Sequence, residues 1–135
     1  MAITVLTNVQ VILNSVDLSN HVTSVSVEES YADVDTTAFG QTSKTRIAGL
    51  GDHKLTLDMQ NDLAVASVYA TIQPLVGSTC SFNVKTLNQA TSSVNPAFTG
   101  VVLVNDFKPL SGKVGDLNVT SITWPVSGSI TTATT

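Results

Sequence analysis

Residues 54–60 read Lys-Leu-Thr-Leu-Asp-Met-Gln, and the alternation is complete. Leu55, Leu57 and Met59 fall on one face, and Lys54, Thr56, Asp58 and Gln60 fall on the other. A period of two is that of a β-strand with one buried and one wet face. Directly after it, Asn61 and Asp62 offer N-caps. Val65, Val68, Tyr69 and Ile72 then recur at helical spacing, which predicts one amphipathic helix over 62–72 that stops before Pro74. Strand then helix, in a chain otherwise dominated by Val and Thr, sets the expectation of a mainly β fold.

Working upstream, residues 36–51 (TTAFGQTSKTRIAGLG) hold three glycines and no sustained period, and carry Phe39, Ile47 and Leu50 as isolated bulky apolar residues. A structureless loop of that length is uncommon in a compact domain unless it has a task. Before it, Val22 to Asp35 reads as one long strand. Val25 and Val27 share a face, then Ala32 and Val34 appear on the opposite parity, as a β-bulge around Glu28-Glu29 would produce. Residues 8–13 (NVQVIL) form a first strand that ends at the turn signal Asn14-Ser15.

Downstream, strands are predicted at Thr79–Thr86, with Cys80, Phe82 and Val84 inward, at Phe98–Phe107, and at Asn118–Val126. VVLVNDF is apolar on both faces, as in a central strand or one covered by a neighbour. The segments 88–96 and 109–116 are turn-rich connections, and the tail from Ser127 begins with a short strand and then frays. No repeat or linker divides the 135 residues, so the expectation is one domain over 1–135: a β-sandwich or partly closed barrel, one flanking helix and a long loop or hairpin arm.

Charged residues make up 12% of the chain, about half the usual share, and mean hydropathy is +0.26. Part of the exterior must therefore be Ser/Thr/Asn-rich or covered by neighbours. A net charge of −4 with one arginine, Arg46, argues against a surface that grips nucleic-acid phosphates. The single Cys80 excludes an internal disulfide and a thiolate metal cluster. No apolar run is long enough for a membrane span, and the first residues lack the basic region of a signal peptide.

The search for chemistry finds isolated groups only. His21 and His53 are distant in sequence and are read as solvated or capping side chains. Cys80 reads as a small core hydrophobe, with no basic neighbour to activate it. Of the acids in 28–35, only Asp33 and Asp35 share a side, and a solvated acidic face explains them better than a catalytic carboxylate pair. Gly49-x-Gly51 and Gly112-x-x-Gly115 lack the context of a phosphate cradle and read as turn glycines. Trp124 is expected to be a buried anchor. No catalytic residue, cofactor site or metal site is predicted.

The segments LTLDMQND (55–62) and FTGVVLVNDFKPLSGKVGDLNVTSITWPVSGSI (98–130) resemble the tail tube, or major tail, proteins of long-tailed bacteriophages. The likeness is one of pattern over nearly the whole chain and is strongest from Phe98 to Ile130. It implies a sandwich with one helix, and a homo-oligomer of hexameric rings stacked into a hollow tube. Hairpins line the lumen, a long loop reaches the adjacent ring, tape measure and tail terminator proteins are partners, and phage DNA passes without specific binding. The protein would be made in the bacterial cytoplasm and reside in the virion tail, with no membrane contact. On this chain the implied inter-subunit contacts are Phe39, Arg46, Ile47 and Leu50, and the acidic lumen or hairpin face is Glu28, Asp33 and Asp35. Six copies at −4 would give a ring of about −24, which repels phosphates over a screened reach of roughly 8 to 10 Å. The other readings are a capsid decoration or head–tail connector subunit and, from a different class, a carbohydrate-binding module, which needs exposed aromatics on one face.

Overall fold

The structure, a computed structural model, describes residues 3, 5–65 and 67–134. It is mainly β, with several antiparallel sheets and no closed barrel. In chain order the strands are β1 (Gln10–Leu13), β2 (Val16–Asp17), β3 (Val22–Glu28), β4 (Tyr31–Asp35), β5 (Arg46–Gly51), β6 (Lys54–Gln60), β7 (Thr79–Lys85), β8 (Ala97–Leu103), β9 (Val119–Pro125) and β10 (Thr131–Ala133). One helix, α1 (Val68–Ile72), runs into a 3-10 turn at Gln73–Leu75.

Two sheets enclose one core. The five-stranded sheet has the order β10-β8-β7-β1-β2, and the three-stranded sheet has the order β3-β6-β9. Leu55, Leu57 and Met59 of β6 are wholly buried. They join Ile122 and Trp124 of β9, Val11 and Leu13 of β1, and Cys80, Phe82 and Val84 of β7 in a single cluster. Each fully buried aliphatic side chain there contributes about 1.5–3 kcal/mol. The first hairpin turns on Asn14 and Ser15 at φ 50° and 66°, the double left-handed geometry that matches strand twist in a two-residue turn.

The strand expected over Val22–Asp35 is divided. β3 pairs with β6, while β4 pairs with β5 in a separate two-stranded ribbon. The parity change at Glu28-Glu29 is met by a two-residue break rather than by a bulge within one ladder. The last six residues of the expected 36–51 loop are the strand β5, so Gly49 and Gly51 are strand residues and not turn glycines. Gly112 and Gly115 do sit in left-handed turns, at φ 136° and 93°.

The helix is much shorter than 62–72. Its N-cap position is Ser67, and neither Asn61 nor Asp62 caps it. The Asp62 Oδ1 instead accepts the Ala64 amide at 2.9 Å. Val68 and Ile72 pack into the core, but Val65 is 96% exposed, because the helical turn begins after it. β8 ends at Leu103 rather than Phe107, yet Val104 beyond it is still buried, and β8 lies between β7 and β10 as a central strand should.

Candidate functional site

The feature that stands clear of the sandwich is the β4–β5 ribbon with its turn, residues 31–51. Asp35 lies opposite Arg46, Val34 opposite Ile47 and Asp33 opposite Ala48. Opposed residues share a face, so one side of this arm is charged, with Asp33, Asp35 and Arg46, and the other is apolar, with Ala32, Val34 and Ile47. Gly49 belongs to the apolar side, since a Cβ there would touch Val34 and Ala32 at 3.0 and 3.1 Å. The tip is ordered by its own polar groups. Thr36 donates its amide to the Thr45 carbonyl at 2.8 Å, and the Ala38 amide donates to Gln41 Oε1 at 2.6 Å.

The sequence-predicted contact residues all lie on this arm and are all open to solvent. Phe39 is 107% exposed, Leu50 88% and Ile47 59%; none tucks under its own sandwich. Arg46 Nε sits 3.4 Å from Asp33 Oδ2 in an exposed pair, which is worth little on its own. The amide of Thr37 donates to Asp35 Oδ1 at 2.8 Å, and the Thr37 hydroxyl and amide together hold the Asp35 carboxyl below its ordinary value. The structure separates the three candidate acids: Asp33 and Asp35 are on the arm, whereas Glu28 is on the outer face of β3, opposite Lys54.

That outer face of the three-stranded sheet is made largely of hydroxyls. The register places Ser26, Thr56 and Thr123 in one row and Ser24, Asp58 and Ser121 in the next, with the Thr56 and Thr123 hydroxyls 3.2 Å apart. Among the described residues, β3 and β9 pair along one side only, each with β6. Each presents a free edge about seven residues long.

Both histidines are engaged: His53 is buried rather than solvated, whereas His21 stays part-exposed. His53 is 3% exposed, and its Nδ1 accepts the Ser30 amide at 3.2 Å. His21 Nε2 lies 3.1 Å from Ser67 Oγ and 3.4 Å from Asp62 Oδ2. Sequence reasoning missed this Ser–His–Asp cluster, since its members are 41 to 46 positions apart or share a short turn. It does not relay a proton: a catalytic triad places hydroxyl and carboxylate on opposite ring nitrogens, and here both address Nε2.

Cys80 is buried, and burial pushes its thiol up, away from the thiolate that nucleophilic chemistry needs. Among the described residues no three His, Cys, Asp or Glu side chains could hold a metal ion. A cleft of about 300 Å³ runs between the N-terminal segment and β3, lined by residues such as Asn8, Ser19, Asn20, Thr23, Ser24 and Asn88, with no aromatic or charged side chain in its wall. No helix of the described residues is long and apolar enough to cross a membrane. Trp124, by contrast with the exposed arm residues, is fully buried as expected.

No protein-family model and no curated protein matches the chain. Among solved structures, a chain from the virion of a native gene transfer agent (GTA) particle superposes with a TM-score of 0.72 at 10% sequence identity, over 93% of this chain and 95% of that one. The chain therefore shares the fold of a virion chain along nearly its whole length.

Proposed function

We propose that the protein is a structural virion subunit, without catalytic activity of its own, that polymerises through its arm and sheet edges into the stacked rings of a tail tube. The observation that carries this reading is the arm. A two-stranded ribbon without cover is marginal in water, yet this one displays Phe39, Val34, Ile47 and Leu50 to solvent. Apolar groups held out on such a projection are anchors for another surface.

Repetition of one chain satisfies both the arm and the sheet. The free edges of β3 and β9 belong to the same sheet, so a head-to-tail join between copies closes a ring and removes both edges. The hydroxyl face of Ser24, Ser26, Thr56, Ser121 and Thr123 would then line the lumen, with Lys54 as its one cation opposite Glu28. A wall of that kind gives phosphates few partners to hold them. The shared fold with a chain of a gene transfer agent virion supports the same assignment, as does the patterned likeness to tail tube proteins from Phe98 to Ile130.

Negative-stain electron microscopy of the concentrated purified protein tests the proposal. Tubes or stacked rings are expected. Lone trimers would favour a capsid decoration or connector subunit, and a persistent monomer would overturn the assembly reading altogether. The carbohydrate-binding reading has less support, since the polar cleft beside β3 has no aromatic wall on which a sugar could stack.

A further inference from the structure

The joint between arm and body is held by a buried imidazole and a backbone bond beside it. His53 lies between β5 and β6, and its carbonyl accepts the Val126 amide at 2.8 Å, which ties its backbone to the body. Its Nδ1 accepts the amide of Ser30, at the break between β3 and β4, at 3.2 Å. The Asp52 amide donates back to the Ser30 carbonyl at 2.7 Å. We infer that His53 is a protonation-gated pin: its neutral ring holds the root of the arm at Ser30, and its protonation releases that hold. The conformational step is a property of the single chain, and only its consequence for polymerisation rests on the proposed function.

A neutral imidazole has one accepting and one donating nitrogen. Because Nδ1 accepts the Ser30 amide, the proton of the neutral ring is on Nε2. A second proton must go to Nδ1, where it faces the Ser30 N–H, and two donors cannot bond. The ring has little room to turn away. A Cβ placed on Gly51 would already be 2.7 Å from Nε2, and the Tyr31 ring stands edge-on with centroids 5.2 Å apart. With the His53 backbone anchored through Val126, the displacement falls on the arm strands.

The titratable groups around the joint are Glu28 at the end of β3, Glu29 in the break, Tyr31 on β4, Asp52 beside the ring and Lys54 on β6; Val126 and Ser127 contribute none. Among the described residues, no carboxylate oxygen comes within 4.0 Å of a His53 nitrogen. Nothing in place therefore offers the imidazolium an ion pair as a substitute for the lost bond. His21, 3.4 Å from Asp62, is the internal contrast: its protonated ring gains a counter-charge where it stands.

The test is NMR on the full chain at monomeric dilution, labelled with ¹⁵N, between about pH 8 and pH 5, the span in which histidines change charge. Ring ¹⁵N shifts report protonation of His53 and His21 separately, and amide exchange, corrected for its intrinsic pH dependence, reports the arm. Protection of the Ser30 and Thr36 amides is expected to fall by about tenfold or more as a local opening, with the midpoint of His53 and not that of His21. H53N puts an amide oxygen near the Nδ1 position without titrating, and is expected to keep Ser30 protected throughout; H21N should leave the wild-type midpoint unchanged. Protection that persists while His53 is protonated overturns the inference. So does a ring that never titrates while the chain stays folded, or loss of protection in H53N at the wild-type midpoint. If H53N does not fold, the coincidence of ring and amide midpoints in the wild type decides alone. Sedimentation at each pH is read separately: absence of polymer throughout would count against the tail tube reading and leave the pin standing, while polymer with an unchanging joint would do the reverse.

Discussion

The Trp124 indole Nε1 donates to the carbonyl of Asp106 at 2.8 Å, fastening the irregular segment after β8 to the centre of the core. Trp124 is fully buried, so Trp124→Ala removes both a large core volume and the partner of a carbonyl. The expected loss is about 3–5 kcal/mol, while Trp124→Phe, which keeps most of the ring, is expected to lose about 1–3 kcal/mol. Urea denaturation of the monomer measures both. An unchanged midpoint for Trp124→Ala would contradict its burial.

Phe39→Asp and Ile47→Asp are expected to separate folding from assembly. Both side chains are exposed, so monomer stability should stay within about 0.5 kcal/mol of the parent. A charge placed in a desolvated contact between copies is severely unfavourable, so tubes should be absent. Melting temperature and electron microscopy on the same samples check the pair. Normal tubes from either variant would remove the arm from the interface.

The clip between His21, Asp62 and Ser67 predicts an acid-side dependence. The Ala64 amide, then the Ser67 hydroxyl, then the His21 charge hold the Asp62 carboxyl below its ordinary value of 3.8. A carboxylate whose folded value is lowered stabilises the fold above the unfolded value, and that contribution disappears as the pH falls through the folded one. Wild type is therefore expected to be more stable than Asp62→Asn above about pH 4, and the two should converge in more acid solution. Melting curves at a series of pH values check this; a constant offset would show that the Asp62 charge is irrelevant.

Gly51→Ala probes the same joint sterically. The added Cβ would lie 2.7 Å from His53 Nε2 and 3.1 Å from the Tyr31 ring, so the joint must open or the imidazole must shift. Overpacking of that kind costs about 1–3 kcal/mol. Because the strain falls at the arm root, hydrogen exchange should rise at Ser30 and Asp52 before it rises in β7 or β9. Uniform loss of protection would instead mean that joint and core unfold together.

Strands whose two faces meet different surroundings are legible from residue order. β6 and β7 alternate strictly, and their inward sets, Leu55–Leu57–Met59 and Cys80–Phe82–Val84, are buried as the period of two requires; on β9 the sequence marks only Trp124 as a buried anchor, and polar Thr120 lies inside while apolar Val119 stays outside. Asn14-Ser15 likewise marks its turn through local backbone preference alone. Exposure of Phe39, Ile47 and Leu50 was also signalled, since no apolar period surrounds them. The remaining features depend on long-range contacts. Nothing near Ser30 in sequence announces that its amide bonds to a ring 23 positions away, which is why one expected strand became β3 and β4, with a new partner strand for β4. Asp62 reads as a helix cap until His21 and the Ala64 amide occupy its carboxylate, leaving the helix to begin at Val68. The burial of His53 belongs to the same class. A strand's faces are set by neighbours two residues apart, whereas a joint, a clip or a shortened helix is set by groups that meet only when the chain is folded.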